Sequence, residues 1–268
     1  MKSWGKKILW SVLTVAVAML CSCNGGTDVP EPEIPDNQII AYTASELTAP
    51  FATGAFMAKI KTNRFTPYAS AEGGSGEIIF ESPVFMVGAI AFRGCTALWT
   101  IDLPADVEAI GRSAFDGCTN LRRVELLGDK ITLLGEGAFS GCTSLEEFVV
   151  PEGVKEIASK TFYDCKGLKY ITFGSGVVDV YDKAFYGCSS LERVEIPENV
   201  TFLGNYCFDG CEQLREVVIR GNRVVDVGST TFANCHAELT IRVPSAMLAS
   251  YEKSVLWQTY LDRLQPID

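Results

Sequence analysis

The sequence predicts a β solenoid of about seven coils, each of roughly 23 residues, with a cap at either end. Three observations predict it. Phenylalanine and cysteine recur with one shared period, apolar and charged residues alternate once per period, and both patterns stop outside residues 78–244. Phe92, Phe115, Phe139, Phe162, Phe185, Phe208 and Phe232 are each followed three residues later by Cys95, Cys118, Cys142, Cys165, Cys188, Cys211 and Cys235. The successive spacings are 23, 24, 23, 23, 23 and 24. Two residue types held in phase over seven copies mark seven equivalent structural units.

The chain begins with Lys2, Lys6 and Lys7 ahead of the apolar run Ile8 to Leu20. That run is too short for a spanning helix, which needs about 20 apolar residues, and has the layout of a signal peptide over residues 1–22. Leu20-Cys21-Ser22-Cys23 resembles the lipobox of bacterial lipoproteins, which implies removal of Cys21 and attachment of lipid to Cys23. Residues 23–37 hold Gly25-Gly26 and the prolines Pro30, Pro32 and Pro35 with little to bury, and are expected to form a flexible linker.

Residues 38–77 are expected to form an N-terminal cap, with the strand-like Ile39-Ile40-Ala41-Tyr42 and the turn Gly73-Gly74-Ser75-Gly76. Glu77 to Phe80 is then expected to be the first strand of a parallel ladder. Within the coils, each unit reads approximately A-F-x-G-C-T-x-L-x-x-V-x-I-P-x-x-V-x-x-I-G. In Leu121-Arg122-Arg123-Val124-Glu125-Leu126 the apolar residues alternate with charged neighbours, the two-residue period of a strand with one wet face. A second apolar pair, as in Val107/Ile110 and Val200/Leu203, turns the chain inward before Gly111 and Gly204. No single coil encloses these groups, so coils must stack at about 4.8 Å and bury their columns against one another. The extra residues of the longer units fall at Gly128-Asp129-Lys130 and Gly221-Asn222-Arg223, turn sequences that absorb an insertion. Residues 245–268 are expected to close the stack as a helical cap, with Leu248, Tyr251, Val255 and Leu256 at helical spacing.

Without residues 1–22, 20 basic residues face 33 acidic ones, a net charge of −13. Phosphate backbones and anionic bilayers repel such a surface, which argues against nucleic acid and leaves lipid as the only tether to a membrane.

Ala114-Phe115-Asp116-Gly117-Cys118-Thr119-Asn120-Leu121, with its near copy at Ala138 to Leu145, resembles the BspA-like leucine-rich repeats of bacterial surface proteins. The resemblance covers residues 78–244 and extends to the ending Ile241-Arg242-Val243-Pro244. It departs from the general leucine-rich repeat in having Asp106, Gly153, Gly176 and Asn199 where an asparagine ladder would run. It implies a leucine-rich-repeat solenoid at the cell envelope, an outer-membrane lipoprotein that is surface-exposed or periplasmic, acting by binding rather than catalysis.

The periodic cysteines invite metal or disulfide chemistry, but each sits beside a core Phe where a small thiol packs well, and parallel stacked side chains do not reach disulfide geometry. Cys207 and Cys211 resemble half a zinc site, yet Cys207 fills the slot of Ala114, Ala138 and Ala184 and no second ligand pair follows. His236 is the single histidine, and no G-x-S-x-G, H-E-x-x-H or phosphate-binding loop is present. The expectation is therefore no enzyme, no cofactor and no metal.

Candidate binding residues lie between the core columns. One wet row reads Thr100, Arg123, Glu147, Tyr170, Arg193, Glu216 and Thr240, and the other Asp102, Glu125, Val149, Thr172, Glu195, Val218 and Arg242. Arg123, Glu125, Glu147, Tyr170, Thr172, Arg193, Glu195 and Glu216 are the expected binding face. Tyr163, Tyr186 and Tyr181 form a second, aromatic candidate, since exposed tyrosines favour interfaces and sugar faces. The expected partner is a protein ligand, met by a monomer. A glycan-binding lipoprotein of a nutrient-uptake system is the alternative, and a hydrolase with a hidden carboxylate pair a third.

Overall fold

The computed structural model describes residues 34–46, 56, 58–69 and 72–267; the expected signal peptide and Cys23 lie outside the described residues. Asp36–Gln38 form a single 3-10 turn across the boundary of the expected linker and N-terminal cap. Asn37 Nδ2 donates to Asp106 Oδ2 at 2.7 Å and the Val84 amide donates to the Asn37 carbonyl at 2.8 Å, so this segment docks onto the first coil. Three strands follow: β1 (Ile39–Ala44), β2 (Ile60–Pro67) and β3 (Gly74–Phe80).

Each coil then contributes a two-residue strand and a longer one. In chain order these are β4 (Met86–Val87) and β5 (Leu98–Leu103), β6 (Ala109–Ile110) and β7 (Arg123–Leu126), β8 (Leu133–Leu134) and β9 (Glu147–Val149). They continue as β10 (Glu156–Ile157) and β11 (Tyr170–Thr172), β12 (Asp179–Val180) and β13 (Arg193–Ile196), β14 (Phe202–Leu203) and β15 (Glu216–Ile219). The last pair is β16 (Asp226–Val227) and β17 (Thr240–Pro244), and β18 (Leu264–Ile267) ends the described chain. The short strands form one continuous parallel ladder from β4 to β16. The second apolar pair of the repeat thus builds a full ladder of its own, which the sequence had suggested only as a turn inward.

The fold is the expected parallel solenoid, with about eight turns of roughly 23 residues. It exceeds the seven Phe–Cys units because β18, which carries neither residue, pairs in parallel with β17 as a further rung.

The N-terminal end differs from expectation. β3, which contains Glu77 to Phe80, pairs antiparallel with β1 and β2 and opens no ladder. It is β1 that lies on the outer edge of β5, also antiparallel. The physical reason is the edge itself: an antiparallel strand satisfies the open backbone groups of β5 without offering a further parallel edge for addition.

The core is a set of columns. Neighbouring Phe rings from Phe92 to Phe232 stack with centroids 5.2–5.7 Å apart and planes within 9° of parallel. The cysteine column runs beside them. Cys118 Sγ donates to the Phe92 carbonyl at 2.9 Å and Cys165 Sγ to that of Phe139 at 3.1 Å, with the same bond at Cys142, Cys188, Cys211 and Cys235. The thiol therefore supplies a buried carbonyl with a donor while filling the space of a small apolar residue.

One backbone column explains the glycine before five of the seven repeat cysteines. Gly117 has φ of 74°, in the left-handed region, as do Gly94, Gly141, Gly187 and Gly210. Asp164 and Asn234 hold the equivalent positions at φ of 55° and 49°, and these two types tolerate that conformation best among residues with a side chain.

At the C-terminal end only Leu248–Lys253 is α-helical, followed by a 3-10 segment, Val255–Arg263. The expected helical stripe is corrected accordingly: Val255 and Leu256 are exposed, while Trp257 and Tyr260 join Tyr251 inside. Polar atoms on these three rings decide the placement. Trp257 Nε1 donates to the Val225 carbonyl at 2.7 Å, Tyr251 Oη to that of Arg223 at 3.0 Å and Tyr260 Oη to that of Gly228 at 3.1 Å. Beside the last rung of the short ladder, the carbonyls of Arg223 and Val225 thus gain donors beneath a cover of aromatic surface, and that of Gly228 adds a second to the Thr231 amide.

Candidate binding surface

The two wet rows lie on the long strands and stand in register. Thr100 is opposite Arg123, Glu147 opposite Tyr170 and Arg193 opposite Glu216, while Asp102 faces Glu125, Val149 faces Thr172 and Glu195 faces Val218. One member differs in exposure: Val218 is only 3% exposed, yet it stays outside the core cluster and in register with Glu195 and Arg242.

The charged members are largely occupied with each other. Arg123 pairs with Asp102 at 3.5 Å and Glu125 at 3.2 Å. Arg193 pairs with Glu195 and with Glu216 at 3.1 Å, Arg220 reaches Glu195 at 2.6 Å, and Arg242 closes the chain on Glu216 at 3.4 Å. Hydrogen bonding from Arg220 holds the Glu195 carboxyl below the usual range, whereas burial pushes that of Asp102 up against the opposing pull of Arg123. Exposed pairs of this kind contribute at most about 1 kcal/mol each, so their main effect is to neutralise and orient the arginines.

Between the two clusters lie β9 and β11, with a different chemistry. Val149 is 64% exposed and Tyr170 60% exposed, Thr172 is exposed, and Glu147 has no ion pair among the described residues. The long ladder is also interrupted on both sides of this pair. β5 and β7 belong to one sheet, β9 and β11 to a second, and β13, β15, β17 and β18 to a third. Among the described residues no backbone hydrogen bond joins β7 to β9 or β11 to β13.

The interruptions coincide with two core substitutions. Phe148 on β9 and Phe173 just after β11 stand where the other coils place Val, Leu or Ile. Phe148 packs at 4.9 Å from Phe139 and 5.1 Å from Phe162, and Phe173 at 5.7 Å from Phe185. A ring in a column otherwise built of aliphatic side chains takes more room beside the stacked phenylalanines than they do. Solvent then reaches the columns: Val124, Leu126 and Phe173 are half-buried, whereas Val194, Ile196, Val217 and Ile219 are buried.

A shallow depression lies at each interruption. One of ≈ 410 Å³ is floored by Val124, Leu126 and Phe148, and one of ≈ 760 Å³ is lined by Tyr170, Phe173, Arg193, Glu195 and Arg220; Glu152 borders both. The Ser175 hydroxyl and amide both donate to Glu152 and hold its carboxyl below the usual range. Of the residues singled out from sequence, Arg123, Glu125 and Glu147 line the first depression and Tyr170, Thr172, Arg193 and Glu195 the second. Glu216 lines neither. Phe173, Glu152 and Arg220 were not singled out; the aromatic intrusions at 148 and 173 into aliphatic columns were the available signal.

Tyr163 and Tyr186 sit on the Phe–Cys turns, away from the long strands. They stack at 4.9 Å with planes 6° apart, and burial pushes the Tyr163 phenol up. Stacked on each other and half-buried, they offer edges more than a ring face. Tyr181 follows β12, where the nearby Glu156 carboxylate raises its phenol and its ring meets Phe202 edge-on at 6.2 Å. Cys235 donates its thiol to Phe208, while His236 Nδ1 accepts the Glu238 amide, so each has a separate structural partner. Among the described residues no group of three or more His, Cys, Asp or Glu is placed to hold a metal ion, and no helix is long and apolar enough to cross a membrane.

The family model of the BspA type leucine rich repeat region matches residues 74–188 and 132–262, in six copies. The chain belongs to this family. Among solved structures, this BspA-type chain is similar to a leucine rich repeat protein of T. pallidum, with 34% identity and a TM-score of 0.55 over 65% of this chain and 78% of that one. It is also similar to a leucine rich cell surface protein of Faecalibacterium prausnitzii, with 25% identity and a TM-score of 0.50 over 61% of this chain. It spans only about half, 53%, of that second chain. The comparison with curated proteins found no match.

Proposed function

We propose that this BspA-type chain is an exported, lipid-anchored binding protein whose long-strand face meets a protein partner. One observation carries the reading: Val149 and Tyr170 stand exposed on a rigid repeat scaffold, between arginine clusters whose charges are already paired internally. A tyrosine on a strand buries a large area at small loss of side-chain freedom, which suits a contact residue. Family membership supports the reading, as does the description of the F. prausnitzii protein as a cell surface protein. The columns of Phe and thiol are fully used in packing, which supports a binding role over a catalytic one.

The full chain, screened on arrays of matrix proteins and polysaccharides, should bind at least one protein saturably and lose that binding in Tyr170→Ala or Arg193→Ala. Silence on every protein spot sinks the proposal, and binding confined to polysaccharides replaces it with the glycan reading. Anchoring is tested separately. Labelled palmitate should enter the chain in its host and be lost in Cys23→Ala; incorporation unchanged by that substitution removes Cys23 as the attachment site.

A further inference from the structure

The surface around β9 and β11 has a charge that its own side chains do not cancel. Counting Glu152 once, the two depressions are lined by seven carboxylates and three guanidinium groups. All three arginines, Arg123, Arg193 and Arg220, are held by internal carboxylates. Asp129, Glu147, Glu192 and Glu198 have no ion pair among the described residues, so the residual field over the surface is negative. The floor beneath that field is apolar, with Val149 and Tyr170 standing between the half-buried Val124 and Leu126 on one side and Phe173 on the other.

A ligand complementary to this surface must bring cations and apolar groups together. Lysine and arginine side chains do so within one residue, laying a hydrocarbon stem on an aromatic or aliphatic floor while the charged head meets carboxylate. The strip from β7 to β13 spans three coil spacings, about 14 Å, which an extended segment of roughly five residues covers. Anionic polysaccharides and acidic peptides are disfavoured by the same charge balance.

Building on the binding role argued above, we propose that the paired depressions flanking β9 and β11 receive an extended, lysine- or arginine-bearing segment of the partner protein. The ladder is split where Phe148 and Phe173 take the places of aliphatic residues, so the positions that depart from the repeat also border the site.

The test uses the full chain and two fluorescein-labelled ten-residue peptides, one alternating Lys with Val and the other Glu with Val, read by fluorescence anisotropy. The Lys–Val peptide should bind at least about tenfold more tightly than the Glu–Val peptide, and raising salt should weaken it. Glu147→Gln and Tyr170→Ala should each weaken it about threefold or more, because one removes local charge and the other the apolar floor. Glu252→Gln, an equal charge change in the C-terminal cap, should leave affinity unchanged. Equal binding of the two peptides, or an equal loss in Glu252→Gln and Glu147→Gln, overturns the proposal. If a protein partner is captured in a Tyr170-dependent manner while the peptides bind equally, the cationic assignment fails and the binding role stands.

Discussion

Cys165 lies with its thiol 3.1 Å from the Phe139 carbonyl and no exposure to solvent. Cys165→Ala removes the second donor of the Phe139 carbonyl, which keeps the Cys142 amide, and leaves a small void, so it should destabilise the chain by about 1 kcal/mol, read as a lowered urea midpoint. Cys165→Ser keeps a donor and should lose less; an alanine variant as stable as the parent contradicts the bond's role. The column also predicts alkaline sensitivity. Burial pushes the Cys95 thiol up to about 11 and the Cys235 thiol to about 12, from an ordinary value of 9.0. Between about pH 9 and pH 11 the unfolded thiols ionise while the native ones keep their protons. The unfolded state then binds fewer protons, so stability that is fully present below pH 9 should drain away as pH rises. Tm measured across this window should fall, and should fall less steeply in Cys95→Ala; identical slopes in the two proteins count against it.

At the scale of elements, the long ladder is set by what fills the space behind it. Phe173→Ile restores the aliphatic type found in the other coils, and β11 and β13 are expected to close into one sheet. Hydrogen exchange should then slow at the β13 amides, Arg193–Ile196, while those of β15 stay as they were; unchanged β13 exchange would mean that Phe173 does not hold the strands apart. The cap elements answer to the same backbone accounting. Trp257→Ala removes a fully buried ring and its donor to the Val225 carbonyl, and should lower stability by about 3–5 kcal/mol in a denaturant melt. A loss below about 1 kcal/mol would show that the cap is decorative.

Residues 34–267 form a one-dimensional stack, in which each coil touches its neighbours and the two ends differ from the middle. Its ends are closed by unlike devices, an antiparallel strand on β5 and an aromatic cover beside β16. Removing residues 245–268 therefore exchanges the short, proline-bearing edge strand β18 for the edge of β17, a row of open backbone groups that invites pairing with another chain. Size-exclusion chromatography should show the truncated chain associating where the full chain does not, and a truncated chain eluting at its own monomer size argues against an edge-protecting cap. The net charge of −10 spreads over the full sequence, so self-repulsion opposes association until such an edge is exposed.

Periodicity alone determined the solenoid. Phe and Cys recurring every 23 or 24 residues left one way to bury both, and the wet rows followed from alternation around Val124 and Leu126. Family membership was equally legible, because its motif is local and recurs. The ends were not. Whether Glu77 to Phe80 entered the ladder depended on which edge it met, and whether Val255 or Trp257 turned inward depended on which carbonyls at the last coil needed a donor. The candidate site was half legible. Tyr170 and its row were visible as variable positions, but their setting came from volume: Phe148 and Phe173 are apolar residues at apolar positions in the sequence, and only the tertiary structure sets them against the column of stacked rings beside the breaks in the ladder. Pattern is a property of the chain read along its length, whereas room for a side chain is decided by residues one coil away.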